Sequence, residues 1–397
     1  ALQVLNHMIL PCILNHPDLT PFVLIKQTVI TLKYGLSVFA STAFATYGMF
    51  RIVAADDVCQ ATRFQEMAKV LLERFGANEY TPRTYASTYG CTHAFTRPPS
   101  ECLGPLLYAH RVGKSLGDSE YSCLDVNLYF LMAMEGGLPL SVLDRCRPLF
   151  EEMASCPERK ALTRVAAPTA DYVDRLIGKS DPLSPKGSII DLDVYYGEAV
   201  ESGSIQNKLE IHYCWMRLGY IFGDHHIAER HCLNMRDVED FAPTIQRIGV
   251  QFFIGLVRIQ AAQGGRNRQR NLRATRKICR KLAKWAKHAP HNVLDRKSLL
   301  EAELAVTVND CALAKEKFRL AILYTGDSKS VMVRALAHER LGRHLLATGQ
   351  FAQAKSSLEA ACQAYEDWGA KGKMNRLLSE VMALPSVPGM TEKRDNV

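Results

Sequence analysis

Two Gly-Lys-Ser triplets carry the residue types that end a phosphate-binding P-loop, and they span 113–115 and 178–180. A P-loop also needs a glycine five residues before the triplet, because its backbone must wrap around the phosphates. Tyr108 and Val173 occupy those two positions. Both triplets also come late in a helical pattern, where glycine and lysine suit a helix C-terminus. We therefore interpret them as helix ends and not as nucleotide sites.

Three histidines and a glutamate fall within seven residues: His225, His226, Glu229 and His231. Zinc proteases place two histidines one helical turn apart, with His-Glu-x-x-His spacing, so that both can bind the metal. The spacing here is His-x-x-Glu-x-His, which differs from that pattern. It predicts ordinary surface residues on one helix and not a metal site. The chain also has no nucleophile elbow, kinase catalytic loop or Rossmann glycine fingerprint. We predict no catalytic residue, no cofactor and no metal site; an enzyme with an unrecognised site is the alternative.

A basic segment at 266–287 holds ten of the 49 Lys and Arg residues and no acidic residue. The net charge of +8 therefore comes from this segment, and the rest of the chain is close to neutral. Helical spacing places its apolar residues on one side, namely Leu272, Thr275, Ile278 or Cys279, Leu282 and Trp285. The opposite side is a candidate docking face for a partner, made of Arg270, Arg273, Lys277, Arg280, Lys281 and Lys284.

Three interpretations of this basic side stay open. A solvated helix face is the plainest, and docking of an acidic protein surface comes second. Binding of nucleic acid or an anionic membrane surface comes third, because the segment lacks interleaved aromatic residues that would stack on bases. A protein partner is therefore favoured over nucleic acid.

Length and composition define the class of protein. A chain of 397 residues with 47% hydrophobic and 23% charged residues corresponds to two or three domains or one continuous repeat array. No uninterrupted apolar stretch reaches about 18 residues, so we predict no transmembrane segment. The first residues have no basic region and do not resemble a signal peptide. Twelve scattered cysteines without a Cys-x-x-Cys pair predict buried thiols and a cytoplasmic, intracellular location.

Helical periodicity dominates the chain. In 58–75 apolar residues recur at the spacing of one buried helix face, and Gly76 follows at the position where a left-handed glycine ends a helix. No sustained alternation of apolar and polar residues indicates strands. The sequence therefore predicts an all-α fold.

The helices recur in pairs that follow the small-and-large spacing of tetratricopeptide (TPR) repeats. The clearest copy has Leu341, Gly342, Leu345, Gly349, Ala354, Leu358 and Ala361 at template positions 7, 8, 11, 15, 20, 24 and 27. A second copy is Glu301, Ala302, Ala305, Asn309, Ala314, Phe318 and Ala321, and a third is Trp215, Met216, Gly219, Gly223, Ala228, Cys232 and Met235. Weaker copies include Tyr47-Gly48 and Tyr89-Gly90.

We therefore predict a superhelical solenoid of TPR-like antiparallel helix pairs. Residues 1–180 form an N-terminal helical lobe, and 191–384 form a C-terminal one. The Pro-, Gly- and Ser-rich segment 181–190 is a loop between them, and 385–397 is a disordered tail or linker.

Several blocks of sequence resemble a known signalling family. Residues 285–292 (WAKHAPHN) followed by 300–303 (LEAE) resemble one of its blocks, and Ala337-His338-Glu339 with Gly342, then 364–370 (AYEDWGA) and Lys373, resemble its closing helix. Lys33-Tyr34-Gly35, Ala43 and Tyr47-Gly48-Met49 resemble its opening repeats. The family is the multidomain sensor kinases that join a serine/threonine kinase-like domain, an AAA-type ATPase, a TPR-like helical region, a GAF domain and often a histidine kinase.

The resemblance covers roughly residues 1–380 and involves only the helical region. It implies a non-catalytic scaffold or regulatory module between ATPase and output domains, and it carries over no catalytic residue. Its partners would be another protein or neighbouring domains of the same polypeptide. A longer parent could be an ATP-dependent protein kinase or a histidine kinase, and the oligomeric state is left open.

Overall fold

A computed structural model describes residues 1–155, 159–235 and 244–384. These residues form 20 α-helices and no strand, which confirms the all-α prediction. The only β-type pairing among them is one isolated bridge between Lys186 and Asp191. The predicted tail at 385–397 lies outside the described residues.

Ten of the described helices precede the predicted loop at 181–190. They are α1 Leu2–Asn15, α2 Thr20–Tyr34, α3 Ala40–Ala55, α4 Val58–Phe75, α5 Thr81–Ser87, α6 Ser100–Leu116, α7 Ser119–Glu135, α8 Leu140–Asp144, α9 Arg147–Ala154 and α10 Lys160–Ile177. A π-helical turn at Thr88–Thr92 and a 3-10 turn at His93–Phe95 continue α5.

Ten further helices follow that loop. They are α11 Leu192–Glu201, α12 Ile205–Phe222, α13 His225–Asn234, α14 Gln246–Gln263, α15 Arg268–Trp285, α16 Pro290–Thr307, α17 Cys311–Ser328, α18 Val331–Ala347, α19 Phe351–Trp368 and α20 Lys371–Met382.

The helix ends follow local sequence signals. The Asp57 carboxylate accepts a hydrogen bond from the Gln60 N–H at 3.1 Å, which satisfies one of the free donors at the start of α4. Asp224 and Asp310 cap α13 and α17 in the same way. Gly76 ends α4 with a φ of 56°, in the left-handed region, as the sequence predicts.

Small residues let consecutive helices approach closely. A Cβ atom on Gly342 would lie 2.6 Å from Leu358 Cγ and 3.3 Å from the Ala354 carbonyl oxygen, so α18 and α19 touch where the clearest repeat copy predicts. Five template positions of the second copy are buried where α16 packs on α17. They are Ala302, Ala305, Ala314, Phe318 and Ala321.

The third copy has its closest described approach at Gly219. Its template places Met216 at the small position of the first helix and Gly219 three residues later, and Met216 is fully buried. A Cβ on Gly219 would lie 2.5 Å from the Ala228 backbone nitrogen. The first turn of α13 therefore crosses α12 next to Gly219, about one turn nearer the connecting loop than Met216.

The interior is occupied by α12 and α14. Each has 15 buried residues among its 18, so neighbouring helices cover them on nearly all sides. The C-terminal helices pack against the earlier ones: the Gly137 carbonyl accepts hydrogen bonds from the N–H groups of Val331 (2.9 Å) and Met332 (3.2 Å). One hydrophobic core accordingly contains residues from Leu10 to Val381. The division into two lobes at 181–190 stays a prediction.

The predicted loop at 181–190 has no helix and folds over a buried ion pair on α10. Arg175 Nε donates to Asp171 at 2.6 Å, and both side chains are buried. Arg175 Nη1 also donates to the carbonyl oxygens of Asp181 and Ser184, each at 2.7 Å. These hydrogen bonds to a charged donor hold the loop against the helix.

Candidate interaction site

Helix α15 has two sides of opposite character. Its buried residues are those predicted for the apolar side, namely Leu272, Thr275, Ile278, Cys279, Leu282 and Trp285. They fix α15 on α14 and α16. Because the apolar side faces the core, the basic side faces outward, as the helical spacing predicts.

The basic face comprises seven cations that lie on one side of α15. Five of the six predicted docking residues are exposed, and Lys281 is half-buried. Arg276 is also exposed and belongs to the same side, although the prediction omitted it. It lies three residues after Arg273 and four before Arg280, and this helical spacing predicts the same side. The face is therefore Arg270, Arg273, Arg276, Lys277, Arg280, Lys281 and Lys284.

The Trp285 ring explains the different environment of Lys281. Lys281 Nζ lies 5.2 Å from the centre of this ring, and the Arg247 guanidinium lies 5.9 Å from it. Such cation–π contacts are favourable. Arg247 in turn donates to the Ile52 carbonyl oxygen at 3.1 Å and pairs with Asp56 at 3.3 Å. Lys281 therefore contributes to packing as well as to the charge of the basic face.

The basic face has no neutralising carboxylates in the described part of the chain. Within 266–287, the one cation with a described carboxylate inside 4 Å is Arg266, which pairs with Glu229 at 2.9 Å. Cations spaced three and four residues apart on one helix repel each other. These cations therefore favour the binding of an anionic group. Without a bound anion, their mutual repulsion is destabilising.

The two Gly-Lys-Ser triplets lie at helix ends, as predicted. The first is inside the last turns of α6, where Lys114 pairs with Glu152 at 2.7 Å. The second directly follows α10, where Lys179 lies 3.3 Å from both Asp144 and Asp174. Each lysine is thus engaged by carboxylates at the end of a helix.

The histidine cluster lies on α13 and separates into exposed and buried members. His225 and His226 are exposed, and Glu229 is the partner of Arg266 described above. His231 is buried, with its Nδ1 atom 3.0 Å from Nδ1 of His212. Burial lowers the pKa of His212 to about 4 and that of His231 to about 3. Both rings are therefore neutral at pH 7, and one donates to the other. The described residues include no group of three possible metal ligands.

Most of the described cysteines are buried. Nine of eleven have buried side chains, and Cys59 and Cys311 are exposed. Burial raises the pKa of Cys91 and Cys279 to about 12, which keeps them as thiols that pack like small apolar side chains. The twelfth, Cys156, lies outside the described residues.

A second group of cations was not predicted from the sequence. Arg340 and Arg343 on α18 lie with Lys373 and Arg376 on α20 around one cavity. Each pair has a spacing of three residues on its own helix, which indicates a shared side. Nothing in the sequence indicates that the two sides meet, because they belong to different helix pairs.

Glu210 on α12 is a fully buried carboxylate that should make stability depend on pH. Burial raises its pKa to about 7, although Gln246 Nε2 (2.9 Å) and Gln206 Nε2 (3.0 Å) donate to it. Its pKa is 4.5 when unperturbed. Because folding raises this pKa, the protonated form stabilises the fold fully below about pH 4.5. That contribution is lost as pH rises through about 7.

We expect Glu210→Gln to remove this loss, because a glutamine side chain does not ionise. The free energy of unfolding of the parent should fall between about pH 5 and pH 8 more steeply than that of the variant. Urea unfolding across that range measures the difference. Glu316→Gln, at an exposed position of α17, is the matched control and should follow the parent. Parallel curves for Glu210→Gln and the parent would contradict the prediction.

No family model matches this chain, and no curated protein matches it. None of the described helices combines the length and apolar character needed to cross a bilayer. Function must therefore be inferred from the geometry of the chain itself.

Proposed function

We propose that the chain is a TPR-like superhelical solenoid that acts as a non-catalytic, intracellular interaction and regulatory module of a signal-transduction kinase or ATPase. The close contact between Gly342 and Ala354, at the two small template positions, supports the repeat architecture. The resemblance of the helical blocks to sensor-kinase regions supports the signalling role. Its partner is another protein or a neighbouring domain of the same polypeptide.

The observation that carries the interaction role is the basic face of α15. Its cations point away from the core, and no described carboxylate lies within 4 Å of any of them. The apolar side of the same helix is fully used in packing. A surface that is fixed in place and strongly charged favours a partner of opposite charge. We therefore assign the docking of an acidic protein surface to this face.

An acidic partner would relieve the repulsion among the cations of α15. Pairs formed near a surface gain modest energy each, but several together steer and orient the partner. Helix α15 packs on α14, and α14 fills the interior. A partner bound to the basic face would therefore shift α15 against the central helices. Small rotations between adjacent pairs would then transmit the signal.

The test is charge reversal on the exposed part of the face. We expect Arg273→Glu/Lys277→Glu/Arg280→Glu to abolish binding of a fluorescent Glu-rich peptide, measured by anisotropy, with the melting temperature unchanged. Parent binding should weaken as salt rises, because salt screens exposed charges. Arg319→Glu/Lys355→Glu/Lys371→Glu is the matched control, since it makes the same charge change at exposed positions elsewhere.

Three outcomes would contradict the docking assignment. One is peptide binding that the α15 variant retains. Another is equal loss of binding in the control, which would indicate a general charge effect. The third is preferential binding of single-stranded DNA or of vesicles with anionic lipid, with the same dependence on α15. That result would favour the alternative role as a binder of nucleic acid or an anionic surface.

A further inference from the structure

A cavity of about 290 Å³ lies between the end of α12, the start of α13 at His225, and helices α14, α18 and α20. Its apolar wall is provided by the α12 end and by Leu336 on α18. Its charged wall holds the four cations noted above, Arg340, Arg343, Lys373 and Arg376. The cavity therefore joins an apolar surface to convergent positive groups, the combination that binding sites for small molecules use.

Two of the arginines are held in position by carboxylates. Glu303 binds Arg340 through Nε at 2.6 Å and Nη2 at 2.9 Å. Arg343 donates to Glu339 through Nε at 3.1 Å and Nη2 at 2.8 Å, and its Nη2 also donates to Glu380 at 2.9 Å. Such two-point pairs fix the plane of a guanidinium group. In both arginines Nη1 has no hydrogen-bond partner within the described residues, so each can still donate to a ligand.

The Glu339 carboxylate also accepts hydrogen bonds from Lys373 and Tyr365. Lys373 Nζ lies 2.9 Å from it, and the Tyr365 hydroxyl donates to it at 2.7 Å. Burial alone would raise the pKa of Glu339, but Lys373 and Arg343 lower it to about 2. This carboxylate is therefore ionised at pH 7, and it acts as a fixed support for the cations.

The charges around the cavity do not cancel. Four cations face three carboxylates (Glu303, Glu339 and Glu380), which leaves one positive charge in surplus. Arg376 accounts for it, because it is exposed and no described carboxylate lies within 4 Å. Tyr220, at the α12 end on the apolar wall, adds a hydroxyl with no described hydrogen-bond partner. A single oxyanion would restore the balance.

We propose that this cavity binds a small organic oxyanion, a compound with one phosphate or carboxylate group and an apolar part. Arg376 and the free Nη1 atoms of Arg340 and Arg343 bind the oxyanion, and the apolar part packs against Leu336 and the end of α12. The site is separate from the basic face, and it goes beyond the proposed docking function by supplying a ligand input.

Ligand binding here would stabilise one arrangement of the helices. Helix α12 is distant in sequence from α18 and α20, and in the proposed repeats the three helices belong to three different units. A ligand that contacts all three binds the folded arrangement and not the unfolded chain, so it raises the melting temperature in a saturable way.

The test uses inorganic phosphate and citrate as probes, with sodium chloride at equal ionic strength as reference. We expect a saturable rise in the melting temperature of the full chain with at least one probe. Arg376→Gln should raise the half-saturating concentration by about tenfold, which corresponds to about 1.4 kcal/mol. Arg376 is exposed, so this variant should fold normally. Lys371→Gln, five residues earlier at the exposed first residue of α20, should respond like the parent.

The comparison between the two variants separates binding from general salt effects. Phosphate stabilises many proteins by exclusion from their surface, and that effect would be equal in the parent and in Arg376→Gln. Equal responses of these two proteins to both probes, or no saturable response, would overturn the proposal. A response to phosphate but not to citrate identifies a phosphate ligand, and the reverse identifies a carboxylate ligand. Neither outcome depends on the basic face.

Discussion

Glu135→Leu should lower the free energy of unfolding by about 3–5 kcal/mol, the usual cost of removing one partner from a buried ion pair. Glu135 on α7 and Arg217 on α12 are 3% and 1% exposed, so the arginine would keep its charge without its carboxylate. Urea or thermal unfolding of the parent and the variant measures this loss. It is the largest single-site effect that we expect.

The environment of Arg217 shows why the carboxylate is needed. Its guanidinium lies over the rings of Tyr172 (4.7 Å), Tyr213 (5.1 Å) and Phe253 (5.1 Å), which offer only partial compensation. Glu135 lies 3.5 Å away and accepts a hydrogen bond from the Tyr213 hydroxyl at 2.9 Å. Burial raises the pKa of Glu135, and the attraction of Arg217 opposes that rise.

A double variant distinguishes loss of the pair from loss of packing. Glu135→Leu/Arg217→Met removes both charges and keeps similar side-chain volumes. We expect it to be more stable than Glu135→Leu, because no uncompensated charge is left in the core. Equal stability of the single and double variants would show that the carboxylate acts through shape or through Tyr213 and not through Arg217.

The same cluster illustrates what the sequence does not reveal. Glu135 and Arg217 are far apart in the chain, and neither belongs to a recognisable motif. Gly249 on α14 completes the arrangement, since a Cβ there would lie 2.0 Å from Glu135 Oε2. Such a cluster depends on how three helices pack, and helical periodicity carries no information about which helices meet.

Local features were predictable because short segments determine them. The left-handed Gly76 follows from the requirements of a helix end. The two sides of α15 follow from the spacing of its apolar and basic residues. The same spacing assigns Arg276 to the basic face. The arginine cavity was missed because α18 and α20 supply one pair of cations each, and only tertiary packing brings Arg343 near Lys373.

The third repeat copy shows the limit of template matching. The template fixes positions by counting, and it assigns Met216 to the point of contact. The structure shows a close approach at Gly219, where the missing side chain lets the Ala228 backbone pack directly against α12. Counting therefore locates a helix pair, but the residues that touch also depend on which position of the first helix is small enough for the second helix to approach.

The contact between α18 and α19 gives the second large expected effect. Ala354 is fully buried at a small position, and Gln353 beside it is exposed. We expect Ala354→Leu to lower the free energy of unfolding by about 1–3 kcal/mol, the usual cost of adding volume to a packed interior. Thermal and urea unfolding measure it. Gln353→Leu is the matched control, and its stability should stay within about 0.5 kcal/mol of the parent.

The pair of leucine variants isolates the position, because the two changes introduce the same side chain one residue apart. Leucine at 353 extends into solvent, whereas leucine at 354 must displace α18 near Gly342. Helix α18 is already in tight contact with α19 at Gly342, because a Cβ atom added there would lie 2.6 Å from Leu358 Cγ. The strain therefore has to separate the helices. Equal melting temperatures for the two variants would mean that α18 and α19 do not meet at these residues, and the repeat frame would fail with them.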